Sequence, residues 1–330
     1  MSIPTVDSLR FPELTLEVPA RHALAQTPTP VHYLPRLSRM LGAQIHCKRD
    51  DLTGFGFGGN KIRKLEYLLS EATRLGATAL VTCGSNQSNW CCMTAVAGAV
   101  LGMEVYLVLG GPVPDVDTGN IRLARLAGAK ISHIDTADDA VLESACEDLE
   151  KSLRARGKQP YRMIMGGSTG LGALGYINAM LEIMAFEEAN GIRFSRIIHA
   201  TGSGGTQAGL VAGSLLRGWQ GEIIGMAVSR QRSAQEEKVR KVLAQMLPEE
   251  AVQRAKVIVE DGFVGGGYRQ KTDACLGALD IFARVEGIFL DEVYTGKAAA
   301  GLIEYCRSGR LGRDENVLFL HTGGTAQLFE

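Results

Sequence analysis

The chain has 330 residues, 40 of them glycine, and a formal net charge of -1. That length predicts about two domains, each able to bury its own core, and the near-neutral balance gives no reason to expect nucleic acid or an anionic membrane as partner. No apolar run reaches the roughly 18 residues that a membrane helix needs.

Residues 1–43 read as an extended arm and a short helix, with Pro28 and Pro30 marking a turn. Asp7 and Glu13 leave that arm without an apolar core of signal-peptide length, so no secretion signal is expected. Gln44–Arg49 reads as a strand, followed by a glycine-rich stretch at 54–59 and an amphipathic helix from Lys61. Strands are then expected at 78–82, 104–109, 130–134 and 161–165, alternating with helices ending at 101, over 119–126 and over 137–156. A second series starts with a helix over 171–190 and a strand over 196–200, and a glycine loop at 201–206 opens a helix over 207–216. A strand over 222–227, helices over 235–245, 272–283 and 295–308, and a strand over 316–320 complete the pattern. Strands alternating with helices of this length predict an α/β fold with two open parallel sheets, each covered on both faces.

Two stretches carry chemistry. Gly54, Gly56, Gly58 and Gly59 remove side chains where the backbone must turn or approach a neighbour closely, and Lys61 follows at the mouth of a helix. The helix dipole disfavours a cation there. A lysine desolvated beside further positive charge loses its proton more readily and becomes a nucleophile able to form a Schiff base; a solvated lysine on a glycine turn is the plain alternative. Thr201-Gly202-Ser203-Gly204-Gly205-Thr206 joins a strand directly to a helix, which aims free amides and hydroxyls at one point beside a positive helix end. That is a phosphate cradle, or else a turn that packs a helix on a sheet. It lacks the lysine and hydroxyl of a nucleotide-binding P-loop and the spacing of a dinucleotide fingerprint. The seven cysteines are odd in number and sit mostly in apolar segments, as reduced core thiols of a cytoplasmic enzyme do. The six histidines form no metal-ligand spacing, so no metal site is expected.

A phosphate cradle with a Schiff-base lysine suggests pyridoxal phosphate. The sequence resembles the tryptophan-synthase-β-like (fold type II) pyridoxal phosphate enzymes, and among them the branch of D-cysteine desulfhydrases and aminocyclopropane-carboxylate deaminases. The resemblance rests on Lys48-Arg-Asp-Asp51, Gly58-Gly-Asn-Lys-Ile-Arg-Lys-Leu-Glu66, Gln87-Ser-Asn89, Thr201-Gly-Ser-Gly-Gly-Thr206, Val293-Tyr-Thr-Gly-Lys297 and His321-Thr-Gly-Gly324, in order along the chain. It implies a large cofactor-binding domain of residues 1–64 and 173–330, a small domain of residues 65–172, the cofactor between them, and a homodimer.

By the same resemblance Lys61 would hold the cofactor and move the substrate α-proton, and Asn89 would bond the pyridoxal 3'-oxygen. The phosphate would lie on Thr201, Gly202, Ser203, Gly204, Gly205 and Thr206, with Lys64 close to it or else solvated. Ser88 and Tyr294 would act at the substrate, with Gln87, Trp90 and Tyr268 bordering it, and Thr295 and Thr322 would face the cofactor ring. The deaminases carry a glutamate at the position of Thr295, where it keeps the pyridine nitrogen protonated. A hydroxyl does not hold that proton, so the ring is a weaker electron sink. That favours expulsion of a good β-leaving group over opening of a cyclopropane. The implied activity is α,β-elimination, with D-cysteine as the first expected substrate; a deaminase, an eliminating lyase for cysteate, D-serine or chloroalanine, and an inactive cofactor-binding protein are the alternatives. The bulky Trp90-Cys91-Cys92-Met93 departs from the branch, where polar residues follow the asparagine, and Gly262–Tyr268 lacks the branch's proline.

Overall fold

The computed structural model describes residues 3, 5, 6, 13–313 and 315–330; Asp7 and part of the expected N-terminal arm lie outside them. Short apolar runs become the strands β1 (Val31–Tyr33), β2 (Gln44–Arg49), β3 (Ala79–Ser85), β4 (Glu104–Gly110), β5 (Lys130–Ile134), β6 (Pro160–Arg162), β7 (Phe194–Thr201), β8 (Glu222–Ala227), β9 (Ile258–Glu260) and β10 (Asn316–His321). Between them run the helices α1 (Pro35–Leu41), α2 (Lys61–Arg74), α3 (Asn89–Leu101), α4 (Gly119–Leu126), α5 (Asp139–Ala155), α6 (Gly170–Asn190), α7 (Gly205–Arg217), α8 (Arg232–Leu243), α9 (Glu249–Arg254), α10 (Asp273–Glu286) and α11 (Thr295–Arg307). No helix among the described residues is long and apolar enough to cross a membrane.

The strands form two sheets, one of six strands ordered β1-β2-β10-β7-β8-β9 and one of four ordered β5-β4-β3-β6. All ladders are parallel except β1 against β2. That edge corrects the expectation of purely parallel sheets. β1, α9 and β9 span only three to six residues, too short for a period to appear in the sequence. The strand expected over 161–165 ends at Arg162, and Gly166 and Gly167, at φ +72° and +57°, turn the chain away.

The period of two sorts each strand's side chains between layers. Ile197, Leu318 and Leu320 join the core under α6, α7 and α8, whereas Ile198, Val317 and Phe319 join the core under α1, α10 and α11. In the smaller sheet Leu80, Leu107 and Leu109 face α2 and α3, and Val81, Cys83 and Val108 face α5. Helix α2 packs both ways: Tyr67 belongs to the core of the larger sheet, and Leu65 and Leu68 to that of the smaller.

A cluster of buried charges fixes α2. Arg63 donates through Nε and Nη2 to the two oxygens of Asp50, both at 2.8 Å, and through Nη1 to Glu182 Oε1 at 2.7 Å. Lys48 donates to Glu182 Oε2 at 2.7 Å, and the Tyr176 hydroxyl donates to Asp50 Oδ2 at 2.6 Å. Burial alone would raise the Glu182 carboxyl, but Arg63 and Lys48 outweigh it and hold its pKa at about 2. A depressed folded-state pKa contributes stability above the ordinary value of 4.5, and that stability is lost as pH falls toward 2. Glu182→Gln should therefore lower the unfolding free energy at pH 7 by about 3 kcal/mol, because it leaves buried cations short of a partner. The deficit should shrink near pH 2; an unchanged denaturation midpoint at pH 7 would count against the cluster's role.

Candidate active site

The glycine stretch wraps the end of β2. Gly59 N donates to Asp50 O at 2.8 Å, and Asn60 N donates to Thr322 O, just past β10, at 2.9 Å. Gly58 sits at φ +72°, and a Cβ there would fall 1.8 Å from Asp51 O, so only glycine fits so close a crossing. The chain then enters α2 with Lys61 as its first residue. Lys61 Nζ donates to Asn60 Oδ1 at 2.7 Å, and Asn60 Nδ2 donates to Thr206 Oγ1 at 3.0 Å. One amide thus ties the lysine to the glycine loop of the other half of the chain. The residue keeps some exposure, yet its amine is enclosed; burial brings its pKa down to about 8, with the charge of Asp291 acting in the opposite direction. With that value a minority of the amine is neutral at physiological pH, far more than for an ordinary lysine, and that form can act as a nucleophile or base.

The second loop is a cradle of donors. Gly204, at φ +89°, caps α7 without any side-chain hydrogen bond, which leaves amides of the first turn facing outward. Ser168 gathers the surroundings: its Oγ accepts from Gly205 N at 3.3 Å and from Lys64 Nζ at 3.1 Å, and bonds Ser203 Oγ at 2.6 Å. Lys64 is buried and also donates to Gly166 O, at 3.1 Å. Its pKa lies well below the usual lysine range, through burial first and the proximity of Lys61 second. A buried amine without an acid partner among the described residues, beside hydroxyls and a helix N-terminus, suits a phosphate in charge and in donor count. Thr201 lies at the loop's start, its hydroxyl bonded by Gln235 Nε2 at 3.1 Å.

The smaller sheet supplies the opposite wall. Ser88 caps α3, its Oγ accepting Cys91 N at 3.2 Å, and Asn89 is the first residue of that helix, its Oδ1 accepting Asn120 Nδ2 at 2.7 Å. Gln87 accepts Asn120 N at 2.8 Å, so its amide secures the start of α4 and holds the Asn120–Asn89 pair in place. Trp90, expected at the substrate, lies instead in the core, 2% exposed, with Nε1 donating to Thr82 Oγ1 at 2.7 Å and its ring against Gly167. Successive helical residues turn about 100°, which carries Trp90 away from the side that Asn89 faces. Cys92 and Met93 are the members of that segment that line a cavity of about 190 Å³, together with Gly56, Phe57, Asn89 and Gly324.

From the larger sheet, Tyr294 places its ring centroid 5.7 Å from Lys61 Nζ and its hydroxyl 2.7 Å from that of Tyr268. Tyr268 OH also lies 3.4 Å from Ser85 Oγ, across the cleft. Thr295 is fully buried and bonded to Asp291: its Oγ1 donates to Oδ1 at 2.6 Å and accepts Asp291 N at 2.8 Å. Oδ1 of Asp291 also accepts Thr295 N, while Oδ2 accepts the amides of Val293 and Tyr294. Thr322 meets the glycine stretch through its carbonyl. The sequence reading missed Asn60, Ser168 and Asp291. Ser168 had a signal, because Gly166-Gly-Ser-Thr-Gly170 is itself a glycine loop before a helix.

The site thus joins an enclosed lysine to a glycine loop of suitable charge and donor count for a phosphate, through one asparagine. The sequence profile of the pyridoxal-phosphate dependent enzymes matches residues 22–323. The chain belongs to this family. A D-cysteine desulfhydrase of Klebsiella pneumoniae is 38% identical over 97% of this chain and 96% of its own length. A Pyrococcus abyssi protein provisionally named 1-aminocyclopropane-1-carboxylate deaminase is 37% identical over 99% and 96%. Among solved structures, one described as an ACC deaminase homologue superposes with a TM-score of 0.87 at 37% identity, covering 95% of this chain and 94% of that one. A fungal L-serine ammonia-lyase of Rhizomucor miehei, at 16% identity and a TM-score of 0.70 over 94% and 96%, shares the fold. The cofactor of this pyridoxal-phosphate enzyme is therefore pyridoxal 5'-phosphate.

Two outcomes follow for the purified enzyme. Lys61→Ala should abolish the visible absorbance that appears when pyridoxal phosphate joins a lysine, and a band that persists would place the attachment elsewhere. Lys64→Met should weaken cofactor binding by about ten- to a hundredfold, the scale of a lost hydrogen bond to a charged group; an unchanged Kd would remove Lys64 from the cradle.

Proposed function

We propose that the chain is a lyase carrying out α,β-elimination on a small amino acid, D-cysteine first, to give pyruvate, hydrogen sulfide and ammonia. The reading includes residues 1–64 with 173–330 as the cofactor-binding domain, residues 65–172 as the smaller one, and a cytoplasmic homodimer. Pyridoxal phosphate, when bound, supplies an electron-withdrawing ring that stabilises negative charge at the substrate α-carbon. The amides of Gly202–Gly205, the hydroxyls of Ser203 and Thr206, and the Lys64 amine hold the phosphate. Asn89 orients the ring from the α3 side. Ser88, whose oxygen accepts Cys91 N, keeps its own hydrogen to donate to a substrate carboxylate.

Lys61 takes the α-proton, as an amine with a pKa of about 8 can do near neutrality. The β-carbon–sulfur bond breaks with its electron pair leaving on sulfur, which picks up a proton. Water then hydrolyses the unsaturated amine to pyruvate and ammonia, so that D-cysteine and one water account for all three products. Tyr294, held by Tyr268, faces the Lys61 amine and borders the space left for the substrate.

The observation that carries the reading is Thr295. Its hydroxyl is tied to Asp291, and the two oxygens of Asp291 already receive four donors. A carboxylate so filled has no lone pair left for a further partner, so Asp291 is not free to support a protonated ring nitrogen. Expelling sulfide needs less electron withdrawal than opening a cyclopropane. The names of two relatives favour a second reading, an aminocyclopropane-carboxylate deaminase.

Incubation with D-cysteine, D-serine, cysteate and aminocyclopropane carboxylate, followed by keto-acid measurement, separates these readings. Pyruvate should form fastest from D-cysteine. Rapid 2-oxobutyrate from the cyclopropane would establish the second reading in place of the first.

A further inference from the structure

Lys297 has no part in the chemistry above, yet it is one of the largest fully buried side chains of the protein. It stands in the first turn of α11, where the helix dipole opposes a cation, and burial draws its pKa below the usual lysine range, with Cys275 and Asp291 acting the other way. No carboxylate bonds its amine among the described residues. Its partners are three backbone carbonyls: Val264 O at 2.7 Å, Gly267 O at 2.9 Å and Val228 O at 3.4 Å. Three donors meet three acceptors, so the ammonium is saturated by main chain alone.

Two of those carbonyls belong to the loop between β9 and α10, where Phe263 and Val264 pack against the two cores of the larger sheet. Gly265 and Gly267 stand at φ +66° and +134°, and Arg269, at φ +61°, is a non-glycine residue in the left-handed region. A loop of this composition does not hold one conformation by its own preferences. Its flank is tied by Arg269 to the carboxylate of Glu330, at 2.8 and 2.9 Å. Tyr268 directly follows Gly267, and its hydroxyl reaches Tyr294 and Ser85. The loop is therefore fastened from beneath by Lys297 and touches both walls of the cleft at its tip.

We propose that Lys297 is a positioning residue: its ammonium clamps the 262–268 loop through main-chain carbonyls, and so sets Tyr268 against Tyr294 above Lys61. The kinetic part rests on the reading that Tyr294 faces the substrate; the structural part does not. The clamp explains how a loop without a stiffening proline presents a tyrosine at a fixed height. The end of β8, at Val228, serves as the anchor.

The test uses the full chain loaded with pyridoxal phosphate, and compares Lys297→Met, Tyr268→Phe and the double variant with the parent. Methionine keeps the apolar length and removes the donors. In Lys297→Met, hydrogen exchange should accelerate by about tenfold or more at amides within 262–272 and stay unchanged elsewhere, because the opening is local. Lys297→Arg, which keeps a charge and several donors, should restore most of the protection. Both single variants should lower kcat/KM for keto-acid release, and the double variant should fall no further than the worse single one, since the two act through one contact. Unchanged exchange in the loop, exchange that rises throughout the chain, or losses that multiply would each overturn the proposal. If methionine does not fold, the same readings are taken on Lys297→Gln. If no amino acid is turned over, the proposed activity fails, and the exchange measurement still decides the clamp.

Discussion

The position of α2 depends on the buried cluster of Lys48, Asp50, Arg63 and Glu182, and the active site depends on α2. Two cations and two carboxylates cancel in charge, and the bidentate pairing of Arg63 with Asp50 fixes an orientation as well as a distance. Such clusters are weak sources of net stability because desolvation offsets attraction, but they penalise any other arrangement. Here they join β2, α2 and α6 at one point. The helix then divides its duties by turn: Arg63 and Glu66 face the anchoring side, Glu66 accepting the amides of Leu24 and Ala25 at 2.8 Å, while Lys61 and Lys64 face the cradle. Residues three apart share a face, so both pairs follow from helical geometry once Arg63 is held.

Much of this was legible in the sequence, though unevenly. Helix α4 and strands β2, β5 and β8 fall on their expected residues, because each combines a clear period with turn residues at its ends. Lys61 and the 201–206 loop stood out as candidates because glycines, hydroxyls and a lysine at a helix start are local signals. Asn60 and Asp291 could not, since their importance comes from partners 146 residues away and from a turn whose donors are main-chain amides. Trp90 failed for another reason: adjacency in sequence to Asn89 says nothing about facing the same way on a helix.

The cleft is built from two sheets whose strands come from different parts of the chain, and every function at it is shared. The smaller sheet supplies Ser88 and Asn89, the larger supplies the glycine loop and Tyr294, and α2 supplies the lysines between them. Asp291 connects chemistry to architecture. It orders the turn that presents Tyr294 and Thr295, yet its charge also reaches Lys61 and restrains the fall of that amine's pKa. A single buried carboxylate thus orders the turn that carries the tyrosine and moderates a lysine proton affinity that burial chiefly determines.

Lys61 and Lys64, one turn apart and both enclosed, also bear on the protein's life outside catalysis. The Lys64 amine, buried and resistant to protonation, penalises the folded chain while no anion meets it, and an anion seated beside it reverses that penalty. A ligand that binds the folded chain alone adds stability with its concentration, about 4 kcal/mol at a thousand times its Kd. Marginal stability decides how often a protein opens to proteases. The resistance of this fold to unfolding therefore rises with the concentration of its cofactor, and a buried lysine of α2 contributes to that dependence.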